Sequence, residues 1–128
     1  MVALHPRSLH AIERAGLSLN NVRVLKPLPY HQTVALLANA SVVITDSGGL
    51  QKEAYFAKTP CVTLRDETEW VETLEGGYNR LLTTDNPINL IDAVEEAEKL
   101  SFKNVEPHYG TGIAGTDIVA QLKRCFGA

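Results

Sequence analysis

The apolar run Ser41-Val42-Val43-Ile44 gives way to Thr45-Asp46-Ser47-Gly48-Gly49 and then to the helix-forming stretch Leu50-Gln51-Lys52-Glu53. This order constrains the fold more than any other feature of the chain. A β-branched strand, a small-residue turn and a helix start together lay out an anion-binding site. Two glycines let the backbone approach a ligand with no Cβ in the way. A helix N-terminus presents N–H groups without intrahelical partners at the positive end of its dipole, which suits a phosphate. Ser47 adds a hydroxyl. Glu53, about one and a half turns further on, stands where an acceptor takes a sugar hydroxyl. The same pattern also fits a plain tight connection with Glu53 solvated, so the glycines alone do not decide.

The rest of the chain alternates between strand and helix periods. Val2-Ala3-Leu4, Val22 to Leu25, Val42 to Ile44, Cys61 to Leu64 and Asn79 to Leu82 read as short strands. Helices are expected over 7–15 (Leu9, Ile12 and Ala15 on one face, Gly16 ending it), 30–40 (Val34, Leu37 and Ala38 at core spacing) and 50–57. Further helices are expected over 68–74 and 87–100, and over 116–125 with Ile118, Val119 and Leu122 inward. In the 87–100 helix Pro87 suits the first turn, Asp85 or Asn86 caps, and Leu90, Ala93, Val94 and Ala97 form the apolar face. The unbroken apolarity of Cys61 to Leu64 suits a strand covered on both faces. Repeated strand–helix units imply an α/β fold, a Rossmann-like parallel sheet with right-handed crossovers, in one domain over 1–128. The loops at His5-Pro6, Pro27-Leu28 and Ser47-Gly48-Gly49 all follow strands. They are expected to gather beyond the carboxyl ends of the sheet, where such folds bind ligands. The segment 101–115 is the least patterned and reads as an irregular connection.

Composition narrows the function classes. The formal net charge is −3, so nothing draws the chain to nucleic acid or to an anionic membrane. No apolar run is long enough to span a bilayer, and no signal-peptide pattern opens the chain, which reads as cytoplasmic. Cys61 and Cys125 lack metal-ligand spacing, as do His10, His31 and His108. Cys61 reads as a buried small hydrophobe, and a disulfide is not expected. Asp66, Glu67, Glu69 and Glu72 resemble paired carboxylates for proton transfer, but acids also favour helix starts, and Arg65 is placed to pair with them. His5 at a strand end suits either a ligand contact or a structural role.

The longer strings are more specific. Asp46 to Ala54, then Pro60 to Trp70 with Glu72, then Gly76-Gly77, closely resemble the non-hydrolysing UDP-N-acetylglucosamine 2-epimerase family. Leu4-His5-Pro6-Arg7 resembles that family's strand-end His-Pro. Pro27-Leu28-Pro29-Tyr30 resembles its Pro-Leu-x-Tyr loop, and Tyr109-Gly110-Thr111-Gly112 its terminal Tyr-Gly-Asp-Gly. Family members are two-lobed and far longer. The resemblance therefore implies the C-terminal half of a GT-B fold, a partial UDP-binding lobe. The N-terminal lobe, which supplies most acid–base residues in the family, lies outside this chain. So do the first strand and helix of the C-terminal lobe, because Met1-Val2-Ala3-Leu4 already reads as a later strand. On this reading the chain is a piece of a longer enzyme, a truncated frame or a designed fragment.

The resemblance also implies roles. Ser47, Gly48 and Gly49 match the diphosphate-binding turn, and Glu53 the ribose-binding carboxylate. Leu28 matches a position whose backbone contacts uracil. Thr33 stands where the family usually carries an aromatic under the base, a loss of about 1–3 kcal/mol of stacking. Trp70 stands where many members carry an Arg, which binds phosphate bidentately as a Trp cannot. Lys52 replaces a usual Glu and reads as a solvated surface residue. Thr111 and Ile113 depart from the family's Asp and Lys. The ligand implied is UDP or a UDP-N-acetylhexosamine, with no cofactor. The family reaction eliminates UDP to a glycal and returns it to the other face, inverting C2. The reading from a different class is a non-catalytic nucleotide-binding or vestigial domain. A last helix that has lost its partner lobe leaves apolar surface, which implies a homo-oligomer.

Overall fold

The computed structural model describes residues 1–83, 88–100, 102 and 108–127. In chain order the elements are β1 (Val2–Ala3), α1 (Pro6–Arg14), β2 (Val24–Leu25), α2 (Tyr30–Ala38), β3 (Val43–Thr45), α3 (Gly48–Phe56) and β4 (Cys61–Thr63). A 3-10 segment (Val71–Gly77), β5 (Asn79–Leu81), α4 (Ile88–Ala97) and α5 (Ala114–Phe126) follow. All strand pairs are parallel, as the strand–helix alternation requires. β1 pairs with β2, Val2 opposite Val24, and β3-β4-β5 form a second sheet, Val43 opposite Cys61 and Cys61 opposite Asn79. One continuous sheet was expected; β1 and β3 are not paired, and a cleft lies between them.

β4 is the centre of the fold, and Cys61, Val62 and Thr63 are all buried. Side chains alternate across a strand. Cys61 accordingly packs with Leu37 of α2, Val43 and Ala54 of α3, while Val62 packs with Ala93 and Ala97 of α4. The apolar face Leu90, Ala93, Val94 and Ala97 thus meets the sheet as its spacing predicts. Complete burial of a valine such as Val62 is worth about 1.5–3 kcal/mol. Arg80 and Glu96 form an ion pair between β5 and α4.

Helix ends follow local chemistry. α1 stops at Ala15, and Gly16 turns left-handed (φ +64°), so the Leu17 N–H reaches the Ile12 carbonyl at 3.1 Å. α3 ends the same way with Lys58 at φ 57° and the Thr59 N–H on the Ala54 carbonyl at 2.9 Å. The Thr59 hydroxyl then donates to the Leu37 carbonyl (2.7 Å), tying α2 to α3.

Several expectations change. Ala15 and Ala38 are exposed, whereas Leu9 and Ile12 are half-buried and Leu37 is buried in the core around β4. α3 starts at Gly48 rather than Leu50, so both glycines are helical. The helix over 68–74 is a 3-10 segment from Val71, interrupted by extended Glu75 (ψ 136°) and left-handed Gly76 (φ 70°). Every described residue of α5 is exposed, so Ile118, Val119 and Leu122 face solvent, not the interior. Nothing within these residues lies over that stripe. The capping at Asp85, Asn86 and Pro87, and most of the connection over 101–115, fall outside the described residues.

The interior beside β4 is polar. Gln51 is 0% exposed, and its side-chain carbonyl accepts from Asn79 Nδ2 (3.1 Å) and from the Thr68 hydroxyl (2.6 Å). Asn79 also donates to Thr73 Oγ1 (2.9 Å) and accepts from Thr63 Oγ1 (2.6 Å). A buried donor or acceptor stripped of its partner costs about 1–3 kcal/mol. Asn79→Ala is expected to lower the unfolding free energy by about 2–4 kcal/mol, since it leaves the buried Thr63 hydroxyl with only the weak Cys61 thiol contact and opens a cavity. Urea titration followed by circular dichroism measures this, and a loss below about 1 kcal/mol would show the network to be incidental.

Candidate functional site: the amino end of helix α3

β3 delivers the chain to the site. The buried Thr45 turns its hydroxyl to accept the Ser47 N–H at 3.0 Å, which bends the chain out of the strand. Ser47 is extended (φ −83°, ψ 125°) and caps α3, its hydroxyl accepting from the Leu50 N–H at 3.5 Å. That contact satisfies one of the amide donors at the helix start. The N–H groups of Gly48 and Gly49, in the first turn, have no intrahelical acceptor. They form an anion cradle at the positive end of the α3 dipole.

Charged side chains stand over this cradle. Arg65 and Glu69 are paired at 3.0 Å. A Cβ built on Gly48 would lie 3.2 Å from Glu69 Oε1 and 3.5 Å from the Arg65 guanidinium, so a side chain there presses on this ion pair. The Glu69 carboxyl is held below the usual range, first by the hydrogen bond from its own backbone N–H and also by Arg65. An ionised carboxylate therefore already sits against the helix end.

A second cluster flanks the helix. Lys52 places its ammonium 4.1 Å from the centre of the Trp70 ring and 4.7 Å from that of Tyr109, a cation held between two aromatic faces. Lys52 is half-buried here, which corrects its reading as a solvated residue. The Tyr109 hydroxyl donates to Glu72 at 3.0 Å. Partial burial and that bond push the phenol up to about 12, so it stays a neutral donor. The Glu72 carboxyl is lowered, by its own backbone N–H and then by Tyr109. Tyr109 also packs edge-on against Tyr55, at 5.5 Å between ring centres. Among the described residues, Trp70 Nε1 and Gln51 Nε2 are buried without a hydrogen-bond partner.

The sequence-derived candidates separate into groups. Leu28 and Thr33 line a cleft of about 420 Å³ together with Asp46 and Leu50, directly beside Ser47, so these elements converge. Thr33 donates to the Pro29 carbonyl at 3.4 Å and offers no ring to the cleft. Glu53 is half-buried on α3. His5 caps α1, its Nδ1 accepting from the Arg7 N–H at 3.2 Å, and so has a structural role. Trp70 does not line the cleft; its ring is engaged with Lys52 and Tyr109. Arg65 pairs with the acidic stretch as its position predicts.

The site is equipped to hold an anion beside an apolar cleft. Glu69 and Glu72 are ionised acceptors at neutral pH, and burial pushes the Cys61 thiol up to about 11, where it is inert. No group of three or more His, Cys, Asp or Glu able to hold a metal occurs among the described residues.

Comparison with known proteins identifies the family. Residues 1–123 match the family described as UDP-N-acetylglucosamine 2-epimerase. A Pseudomonas aeruginosa protein named UDP-2,3-diacetamido-2,3-dideoxy-D-glucuronate 2-epimerase is 40% identical over 127 residues, covering 97% of this chain and 34% of the relative. A Methanocaldococcus jannaschii protein named UDP-N-acetylglucosamine 2-epimerase is 39% identical, over 94% of this chain and 34% of its own length. The solved structure of UDP-GlcNAc 2-epimerase from that organism superposes with a TM-score of 0.84 at 37% identity, covering 95% of this chain and 35% of that one. The chain thus spans about a third of the length of the curated relatives it matches. The parallel strands, flanking helices and strand-end loops match those neighbours as a Rossmann-like half of GT-B type. With motif order, fold and sequence match in agreement, the chain belongs to the UDP-N-acetylglucosamine 2-epimerase family.

Proposed function

We propose that residues 1–128 form part of the C-terminal, UDP-binding lobe of a UDP-N-acetylglucosamine 2-epimerase. The observation that carries this reading is the pair of Gly48 and Gly49 N–H groups at the start of α3, beside a cleft that Leu28 and Thr33 line. The diphosphate sits on Ser47, Gly48 and Gly49, and uracil lies by Leu28 and Thr33. Glu53 accepts from the ribose hydroxyls. His5 and Trp70 act at most indirectly, through α1 and through Lys52. A solved relative from M. jannaschii is described in complex with UDP-GlcNAc and UDP, and it superposes on this chain with a TM-score of 0.80.

The chemistry follows from the cradle. Elimination breaks the bond from C1 to the diphosphate oxygen, and negative charge develops on the departing UDP. Fixed N–H dipoles and Arg65 stabilise that charge, and they hold UDP for return after the C2 proton is exchanged to the other face. The proton transfers belong to groups outside residues 1–128. These residues alone therefore act as a nucleotide-binding unit. Two thiols, one of them exposed, support a cytoplasmic setting.

Calorimetric titration of UDP tests the cradle. Gly48→Val is expected to weaken binding at least tenfold, about 1.4 kcal/mol, because the side chain meets Glu69 and covers the helix end. Equal affinity in both proteins would remove the diphosphate assignment. Incubation of the chain with UDP-N-acetylglucosamine, followed by proton NMR, is expected to yield no UDP-N-acetylmannosamine above a boiled control; product would place the proton-transfer groups inside this chain.

The α5 stripe supports self-association. Ile118, Val119, Leu122 and Phe126 are all exposed, Phe126 by 80%. At about 25 cal/mol per Å², a few hundred Å² favours a dimer by several kcal/mol before association entropy is counted. Sedimentation at micromolar concentration is expected to show an oligomer that Leu122→Glu converts to monomer. A monomeric unsubstituted chain contradicts this.

A further inference from the structure

The start of α3 has two chemically different sides. With 3.6 residues per turn, Gly48 and Leu50 lie about 200° apart around the helix. Leu50 lines the cleft together with Leu28 and Thr33, and Glu53, three residues on, sits about 60° from Leu50 on the same side. The opposite side belongs to the stretch 65–72, none of which lines the cleft. There Glu69 Oε1 stands 3.2 Å from the Cβ position of Gly48, and the Arg65 guanidinium stands at 3.5 Å. Lys52, one turn below Gly48 and about 40° from it, continues this side beneath Trp70 and Tyr109.

The helix end thus separates two ligand regions. A diphosphate on the Gly48 and Gly49 N–H groups, with its nucleoside in the cleft, points its second phosphate and whatever is esterified to it toward Arg65 and Glu69. Arg65 suits a phosphate oxygen. Glu69 does not, because an ionised carboxylate has acceptors and no donor and repels a diphosphate. Its acceptor capacity is not used up. Of about four acceptor positions on a carboxylate, Arg65 Nη1 meets two, at 3.3 and 3.0 Å, and the backbone N–H of Glu69 meets another. The side chain is also 57% exposed. What satisfies such a group beside a diphosphate is a hydroxyl or amide N–H on the ester partner of that diphosphate.

We infer, taking the α3 start as the diphosphate cradle proposed above, that Glu69 is a specificity-determining residue on its sugar side, accepting a hydrogen bond from a hydroxyl or acetamido N–H of the hexose. The carboxylate then discriminates between two ligands that share the same nucleotide. Free UDP ends in a phosphate monoester, which carries more negative charge than the diester of a UDP-sugar and brings no sugar donors. Glu69 repels the first and holds the second. The ion pair with Arg65 keeps the carboxylate in place at the Gly48 side, where glycine leaves the approach open.

Calorimetric titration of UDP and of UDP-N-acetylglucosamine into the unsubstituted chain and into Glu69→Gln, at one pH and ionic strength, gives the ratio of the two dissociation constants. Glutamine keeps the length of the side chain and removes its charge. The substitution is expected to tighten UDP about threefold and to weaken UDP-N-acetylglucosamine about threefold, so the preference for the sugar-bearing ligand falls about tenfold. A purely structural role for Glu69 moves both affinities together and leaves the ratio where it was. A preference that falls by less than about twofold, or that rises, would overturn the inference while leaving the cradle in place. Absence of UDP binding to the unsubstituted chain would instead remove the diphosphate reading, and the role of Glu69 with it.

Discussion

The buried amide of Gln51 holds the structure together at the point where helix, sheet and loop meet. Its carbonyl joins Asn79 on β5 to Thr68 on the loop before the 3-10 segment, and Asn79 extends the chain of bonds to Thr63 and Thr73. Apolar packing alone tolerates a helix that rotates or slides by part of a turn. A polar group inside the protein does not, because each bond lost there leaves a desolvated group behind. The network therefore fixes the rotation of α3 about its axis. That rotation decides where the Gly48 and Gly49 N–H groups point.

Electrostatics at the helix start follow from this placement. The dipole end attracts an anion, and Glu69 supplies one. Its partner Arg65 keeps the local charge balanced, so the cradle is not a bare positive site. Lys52 does not add to it freely: two aromatic rings hold its ammonium, and Glu72 anchors one of those rings through the Tyr109 hydroxyl. A substitution that looks like a charge reversal on a helix surface is thus built into an aromatic and carboxylate frame beside the site.

The divided sheet explains why the two halves of the molecule differ. β4 is paired on both sides and covered on both faces, and the buried residues cluster around it. β1 and β2 form an isolated pair of two residues each, which is a weak unit without further strands. The candidate uracil position Leu28 follows β2 on that weaker side, whereas Thr33 rides on α2, which packs against α3, and the diphosphate positions stand on the firm side.

The sequence by itself determined the alternation of short strands and helices, the parallel order, the double-sided burial of Cys61 to Thr63, the apolar face of α4 and the turn at Ser47. Each rests on local chemistry or periodicity: β-branched runs, helical spacing, a capping hydroxyl, glycine next to a strand end. Residue strings such as Asp46 to Ala54 and Pro60 to Trp70 carried the family. Tertiary structure decided what depends on distant partners. Gln51 and Asn79 lie 28 residues apart, and nothing in either neighbourhood signals a buried bond. Lys52 looks solvated until Trp70 and Tyr109 close around it, and the sequence leaves His5 open between a ligand contact and a structural role, where the fold shows its Nδ1 accepting from the Arg7 N–H. The inward reading of α5 failed because helical periodicity marks an apolar stripe but not what covers it. The gap between β1 and β3 was beyond local pattern for the same reason, since pairing joins separate segments and no single segment encodes it.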